Sequence, residues 1–242
     1  MNKDQLIFLD TETTGAGAED RLCQVAYNFQ GKEFEALFKP CLPISIDAMT
    51  VSHITNKMVQ EKEVFEGSEM FDHLKKILSE GNILVAHNAK FDVEMLKKEG
   101  LEIPYVIDTL KVIQHLDVKA EIPKYNMQYL RYYFDIDLED ATAHDALGDI
   151  RVLEKLFDLF FDKMEAEGKD EESIIKEMIE ISARPVLIKK FNFGKYNGVA
   201  VEEVAKTDSG YLRWLLNEKI KTRDQDGDND ENWIYTLENY LK

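Results

Sequence analysis

Four apolar residues, Leu6-Ile7-Phe8-Leu9, run without a break into Asp10-Thr11-Glu12 and a Thr13-Thr14-Gly15 turn. Such a run predicts a strand buried on both faces. Residues two apart on a strand share a face, so Asp10 and Glu12 project together from the strand's end. Two adjacent carboxylates at the end of a buried strand repel each other and are costly to desolvate. A divalent cation between them removes that cost. For this segment alone, a solvated Asp-x-Glu pair is the plainer alternative.

The rest of the chain reads as strands followed by alternating helices and strands. Residues 21–29 and 32–39 predict two strands joined at Gln30-Gly31. Residues 46–66 read as short helical turns and loop. Met70, Leu74, Ile77 and Leu78 mark a helix within residues 67–80. Ile83 to Ala86 is a fourth strand, and a helix after it stops at Gly100. Residues 105–107 are a short fifth strand that ends at Asp108-Thr109. A helix carrying Leu110, Ile113 and Leu116 comes next, then a short one over 126–134. The longest helix has a stripe at Leu147, Ile150, Leu153, Phe157, Phe160 and Met164. A last helix over 170–182 precedes Ala183-Arg184-Pro185, a boundary between domains 1–182 and 183–242. This order predicts an α/β fold, a mixed sheet with helices on its faces.

Hydrophobic residues make up 44% of 242, enough for a large core. The apolar runs are too short for a membrane span, and the N-terminus shows no signal-peptide pattern. Cys23 and Cys41 form neither a disulfide framework nor a C-x-x-C pair. The expectation is a soluble cytoplasmic protein without a membrane partner. The net charge of −17 would by itself disfavour nucleic acid. It is unevenly spread: residues 1–180 carry −17, whereas residues 181–223 carry +5.

Two later segments bring further carboxylates to the edges of buried elements. Asp92 sits in the first turn of the helix after the fourth strand. Asp149 sits in the first turns of the long helix, five residues after His144. Five residues are about 500° of helix, so His144 does not share a helical face with Asp149 and belongs to the preceding loop or N-cap. Asp10, Glu12, Asp92 and Asp149 can together hold two hard divalent cations, Mg²⁺ or Mn²⁺. Two such ions clamp the attacking and leaving oxygens of an in-line phosphoryl displacement. A nearby histidine has the intrinsic pKa to take a proton from water. Singly, each residue has a structural alternative. Asp92 suits a helix N-terminus, Asp149 a solvated helix position, His144 a cap, and His87 a strand end.

Phe8-Leu9-Asp10-Thr11-Glu12-Thr13-Thr14-Gly15, His87-Asn88-Ala89-Lys90-Phe91-Asp92 and His144-Asp145-Ala146-Leu147-Gly148-Asp149 resemble the three exonuclease motifs of the DEDDh family. This DnaQ-like group includes the proofreading subunit of bacterial replicative DNA polymerase. The resemblance covers roughly residues 5–165. It implies a ribonuclease-H-like fold with a mixed five-stranded sheet. It also implies hydrolysis of the 3′-terminal phosphodiester of DNA, with release of nucleoside 5′-monophosphates. By resemblance, Asp10, Glu12, Asp92 and Asp149 bind two Mg²⁺ or Mn²⁺ ions, and His144 is the general base. Thr13 would sit beside the terminal nucleotide, with Thr11 and Thr14 next to it. His53, Asn88 and Phe91 are further candidates for holding the strand, and Phe91 also reads as core. Ser52-His53-Ile54-Thr55 departs from the His-Gly-Ile-Thr usual in the family's loop.

The tail, with Phe193-Gly194-Lys195-Tyr196-Asn197-Gly198 and Gly210-Tyr211-Leu212-Arg213-Trp214-Leu215-Leu216, is similar to the small C-terminal domain of exonuclease-X-type members. Lys189, Lys190 and Lys195 interleave with Phe191, Phe193 and Tyr196 as on single-strand-binding surfaces, although a domain this small also needs aromatics for its own core. Asp224 to Glu231 lacks the calcium-loop spacing and reads as a solvated acidic loop. The partners implied are DNA 3′ ends, single-stranded in the first instance, and a polymerase or repair complex. A short-RNA exonuclease and a polymerase-bound scaffold are the alternative functions.

Overall fold

The computed structural model describes residues 1–138, 146–226 and 230–242. Strands β1 (Leu6–Thr13), β2 (Leu22–Phe29), β3 (Lys32–Leu37), β4 (Ile83–Ala86) and β5 (Tyr105–Asp108) form one sheet in the order β3-β2-β1-β4-β5. The first three pair antiparallel, and β4 and β5 add on parallel. Gln30 and Gly31 both have positive φ, 52° and 76°, as a two-residue hairpin turn of the primed kind requires.

The helices of the first part are α1 (Ile46–Ser52), α2 (Asn56–Val59), α3 (Glu69–Ser79), α4 (Lys90–Lys98), α5 (Thr109–Leu116), α6 (Met127–Tyr133), α7 (Ala146–Glu165) and α8 (Glu171–Ser182). The alternation along β1 sets the layers. Ile7 and Leu9 share one core cluster with Leu74, Ile77 and Leu78 of α3 and Met95 and Leu96 of α4. On the opposite face, Phe8 meets Phe157 of α7 edge-on at 5.4 Å, and Ala26, Ala146 and Ile150 fill the space beside them. Each fully buried aliphatic or aromatic side chain here contributes roughly 1.5–3 kcal/mol. Arg151 of α7 grips Glu33 of β3 through two bonds of 2.9 and 3.0 Å, which fixes the helix across the meander.

By internal contacts the chain divides into two compact units, residues 1–113 with 124–182, and residues 114–123 with 183–242. The excursion 114–123 therefore groups with the tail, which a single cut at 182 does not anticipate. Its cause is local: the Lys189 ammonium donates to the carbonyls of Gln114 (2.7 Å) and Asp117 (2.6 Å), and Lys190 donates to that of Ala120 (2.6 Å).

The second unit is built from α9 (Val201–Thr207), α10 (Ser209–Asp226) and α11 (Glu231–Tyr240) around Phe191, Val201, Val204, Leu212, Leu215, Trp233 and Leu237. Here α10 continues through Asp226, so the first part of the expected acidic loop is helix. The acidic composition of 224–231 hides this in the sequence, and it hides the start of α11 as well. Among the described residues no helix is long and apolar enough to cross a membrane.

Candidate active site

β1 continues to Thr13, so Asp10 and Glu12 lie within the strand and not beyond its end. They alternate with Leu9, Thr11 and Thr13 and share the α7 face with Phe8. The β1–β2 register passes from Glu12↔Gln24 to Thr13↔Leu22, which leaves Cys23 unpaired with β1 in a bulge beside the carboxylates.

Asp92 lies in the first turn of α4, which the turn after β4 places. Asn88 turns the chain with φ 65°, a left-handed conformation that asparagine tolerates better than most residues. Its N–H donates to Asp108 Oδ1 at 3.0 Å, and the same oxygen caps α5 through the Leu110 N–H. His87 clamps the turn from below. Its Nε2 lies 2.7 Å from the Tyr125 carbonyl and its Nδ1 2.9 Å from Thr109 Oγ1. A carbonyl can only accept, so Nε2 carries a proton. Burial lowers the His87 pKa. This ring closes the strand end.

Thr11, on the other face of β1, donates its hydroxyl to Asp92 Oδ1 at 2.6 Å. Asp149 lies buried in the first turn of α7, and Gln128 of α6 donates from Nε2 to its Oδ1 at 2.6 Å. Among the described residues the Gln128 Oε1 is buried without a hydrogen-bond partner. No motif marks Gln128 in the sequence. Only the packing of α6 on α7 reveals it.

Electrostatics join the four acids. The Asp10 carboxyl is pushed well above its ordinary range, first by burial and then by Asp92, Glu12 and Asp149. Glu12 rises to about 7 through burial, Asp149 and Asp92. Asp92 also rises to about 7; burial dominates, and the Thr11 hydroxyl pulls the other way. As whole residues Asp10 and Glu12 are half-buried, but their carboxyl groups sit at the inner, desolvated end. A set of carboxylates that raise one another's pKa matches hard divalent cations in donor chemistry. Among the described residues no three His, Cys, Asp or Glu side chains stand at ligating spacing.

His144 lies outside the described residues. The three threonines of the first motif are committed within the chain. Thr11 holds Asp92, Thr13 donates to the Gly15 carbonyl at 2.7 Å, and Thr14 donates to Asp20 Oδ1 at 2.6 Å. Thr14 is fully buried, and its backbone bonds to Arg21 and Ser45. A Cβ at Gly15 would fall 2.6 Å from Asp20 Oδ2, so a larger residue there would displace the carboxylate that Thr14 holds. The hydroxyls thus frame the turn. Asn88 is exposed at the α4 entrance, and Phe91 is half-buried against the core cluster of α3 and α4. His53 is exposed and has φ 57°, so it occupies, in left-handed conformation, the place where the family's loop has glycine.

The family described as "Exonuclease" matches residues 7–157, and "Exodeoxyribonuclease X-like C-terminal" matches residues 191–219. The chain is 33% identical over 226 residues to exodeoxyribonuclease 10 of Escherichia coli strain K12, covering 88% of this chain and 90% of that one. It is 35% identical over 161 residues to the DNA polymerase III subunit epsilon of Treponema pallidum strain Nichols, covering 61% of this chain and 72% of that one. A solved structure of exonuclease X in complex with 5′ overhanging duplex DNA superposes with a TM-score of 0.55 and 28% identity, covering 72% of this chain and 99% of that one.

Proposed function

The chain belongs to the exonuclease family and is a phosphodiester hydrolase; we propose that it removes nucleoside 5′-monophosphates one at a time from the 3′ end of DNA, in repair or proofreading, in the cytoplasm. The observation that carries this reading is the mutual electrostatic influence of Asp10, Glu12, Asp92 and Asp149, contributed by one strand and two helices. Asp10, Glu12, Asp92 and Asp149 would hold two Mg²⁺ or Mn²⁺ ions. Bound there, the cations supply charge neutralisation and polarisation at the scissile phosphate. Thr11 and Gln128 orient the carboxylates of Asp92 and Asp149. His144 takes the proton of the attacking water, a role its intrinsic pKa suits. The water oxygen bonds to phosphorus, the bond to the 3′ oxygen of the penultimate nucleotide breaks, and the terminal nucleotide leaves with its 5′-phosphate. Thr13 and the exposed Asn88 and His53 lie on the elements that would meet the terminal nucleotides.

The duplex DNA with a 5′ overhang in the exonuclease X complex supports a DNA 3′ end as substrate. Similarity to a polymerase III epsilon subunit supports a second reading, in which the same activity serves a replicative polymerase. Matched 5′-labelled single- and double-stranded DNA and RNA, incubated side by side with Mg²⁺, test the proposal. A ladder that shortens from the 3′ end of DNA is the expected result. Internal cuts, or faster loss of RNA, would overturn it.

A further inference from the structure

The second unit divides its basic and aromatic residues into two groups. Phe191 (1% exposed) and Trp233 (4%) are core, and Lys189 and Lys190 are tied to backbone carbonyls. Tyr196 and Tyr211 pack against Phe191, with ring centroids 5.9 and 6.0 Å from it, and a ladder of Tyr196, Tyr211 and Trp214, 5.0 and 5.4 Å apart, leads outward from there to Trp214, 54% exposed. A tryptophan this open adds little to a small core, and a unit of this size has few aromatics to spare.

The ladder is held rigid. Asp208, at the start of α10, accepts from the Tyr196 hydroxyl at 2.7 Å and from the Tyr211 N–H at 3.0 Å. It also pairs with Lys195 at 3.0 Å, and the Lys195 ammonium rides over the Tyr196 and Tyr211 rings at 4.6 and 4.8 Å. Gly194, at φ 65°, lets the backbone pass close to Tyr211: a Cβ there would lie 3.3 Å from its hydroxyl. Arg213 stands exposed beside Trp214. This stretch of the chain, 181–223, carries +5 within a protein of −17.

We infer that Tyr196, Tyr211 and Trp214, flanked by Lys195 and Arg213, form a single-strand nucleic-acid binding surface separate from the catalytic carboxylates, with Trp214 stacking on a base. Fixed aromatic faces beside cations are what sequence-tolerant single-strand binding needs: rings for bases, charge for phosphates. The choice of partner rests on the exonuclease reading, because such a surface retains the strand that the carboxylates shorten.

The test is fluorescence anisotropy of a labelled oligothymidylate with the full chain in excess EDTA, where no cleavage occurs. Trp214→Ala is expected to weaken binding about tenfold, within the worth of one base–aromatic stack. Trp214→Phe should recover most of that loss, and Arg213→Glu should weaken binding and flatten its salt dependence. Metal-dependent hydrolysis of p-nitrophenyl thymidine 5′-phosphate, which engages only the catalytic site, should be unchanged in Trp214→Ala. Affinities within twofold of the parent for both Trp214→Ala and Arg213→Glu would overturn the inference. So would a change in oligomeric state by sedimentation with unaltered oligonucleotide affinity, which would assign the surface to protein contact. Binding that depends on Trp214 in a chain that cleaves nothing would sink the exonuclease reading and leave this surface standing.

Discussion

The Thr11 hydroxyl donates to Asp92 Oδ1 at 2.6 Å, joining the core-facing side of β1 to the first turn of α4. This bond pulls the Asp92 pKa down against the burial that raises it. Thr11→Val keeps the shape and removes the donor. Asp92 should then ionise only at higher pH, and cation binding with it. The acidic limb of the pH–rate profile is expected to move to higher pH, with activity at pH 7 down about tenfold, the effect of roughly one pKa unit or 1.4 kcal/mol. An unchanged profile would show that Thr11 does not tune the site.

Gln128 separates function from stability at a single residue. Its Nε2 orients Asp149, while its Oε1 is buried and unsatisfied. Removing an unsatisfied buried acceptor relieves a desolvation cost of about 1–3 kcal/mol. Gln128→Met should therefore melt at or above the parent temperature yet cleave DNA at least about tenfold more slowly, a loss typical of outer-sphere partners of metal ligands. Calorimetry and a cleavage assay on the same preparation check both halves. A variant that melts lower and cleaves normally would reverse the assignment.

The raised carboxyl pKa values give a pH dependence of defined sign. In the metal-free protein burial raises Glu12 and Asp92 to about 7 and raises Asp10 well above its ordinary range. Between about pH 4 and 7 the folded chain thus holds protons that the unfolded chain has released. Their contribution is full below pH 4 and is lost as pH rises through 7. Glu154, raised to about 7 by burial and by Glu33 and Asp158, acts in the same direction. His87, depressed by burial, opposes them below its unfolded value. Glu99 and Asp108 are raised by burial as well, so six carboxyl groups against one imidazole give the net sign. In EDTA the melting temperature should be at least about 5 °C higher at pH 5.5 than at pH 8, a difference of one or two kcal/mol. Mn²⁺ should remove most of that gap by stabilising the ionised form. A gap that Mn²⁺ leaves intact would place its origin outside the site.

His53 has φ 57° where glycine adopts such a backbone without cost. His53→Gly should raise stability by about 0.5–1 kcal/mol, visible as a small rise in melting temperature. If the imidazole also holds substrate, the KM for oligonucleotide should rise in the same variant. A lower melting temperature would show that the side chain stabilises the loop by more than the backbone strain costs.

The placement of the acidic segments on their strands and helices is legible in the sequence. Asp10 and Glu12 follow from strand alternation after an apolar run, and Asp92 from its place one turn into a helix behind a buried strand. Gln30-Gly31 marks its own hairpin. What stayed hidden depends on tertiary contact. Gln128 is an ordinary polar residue on a short helix until α7 brings Asp149 to it. The threonines next to the acids suggest substrate contacts, yet their hydroxyls bond to Asp92, Gly15 and Asp20. The basic aromatic tail reads as one patch in sequence, but folding buries Phe191, ties Lys189 and Lys190 to backbone carbonyls and leaves Trp214 outside. Residues 114–123 group with the tail because two lysines far along the chain bind their carbonyls, a relation that no local pattern encodes.

The central claim is that the four carboxylates form one divalent-cation site that hydrolyses a 3′-terminal phosphodiester. Its most direct test is the release of nucleoside 5′-monophosphates from a 5′-labelled oligonucleotide by the parent and by Asp10→Asn, with Mg²⁺ and at matched folded concentration. Asp10→Asn keeps the side chain's shape and removes the charge that Glu12, Asp92 and Asp149 surround. The account predicts stepwise mononucleotide release by the parent and a loss of at least about a thousandfold in the variant, the scale expected when a cation site essential to phosphoryl transfer is disabled. Mononucleotide release by Asp10→Asn at the parental rate would contradict it.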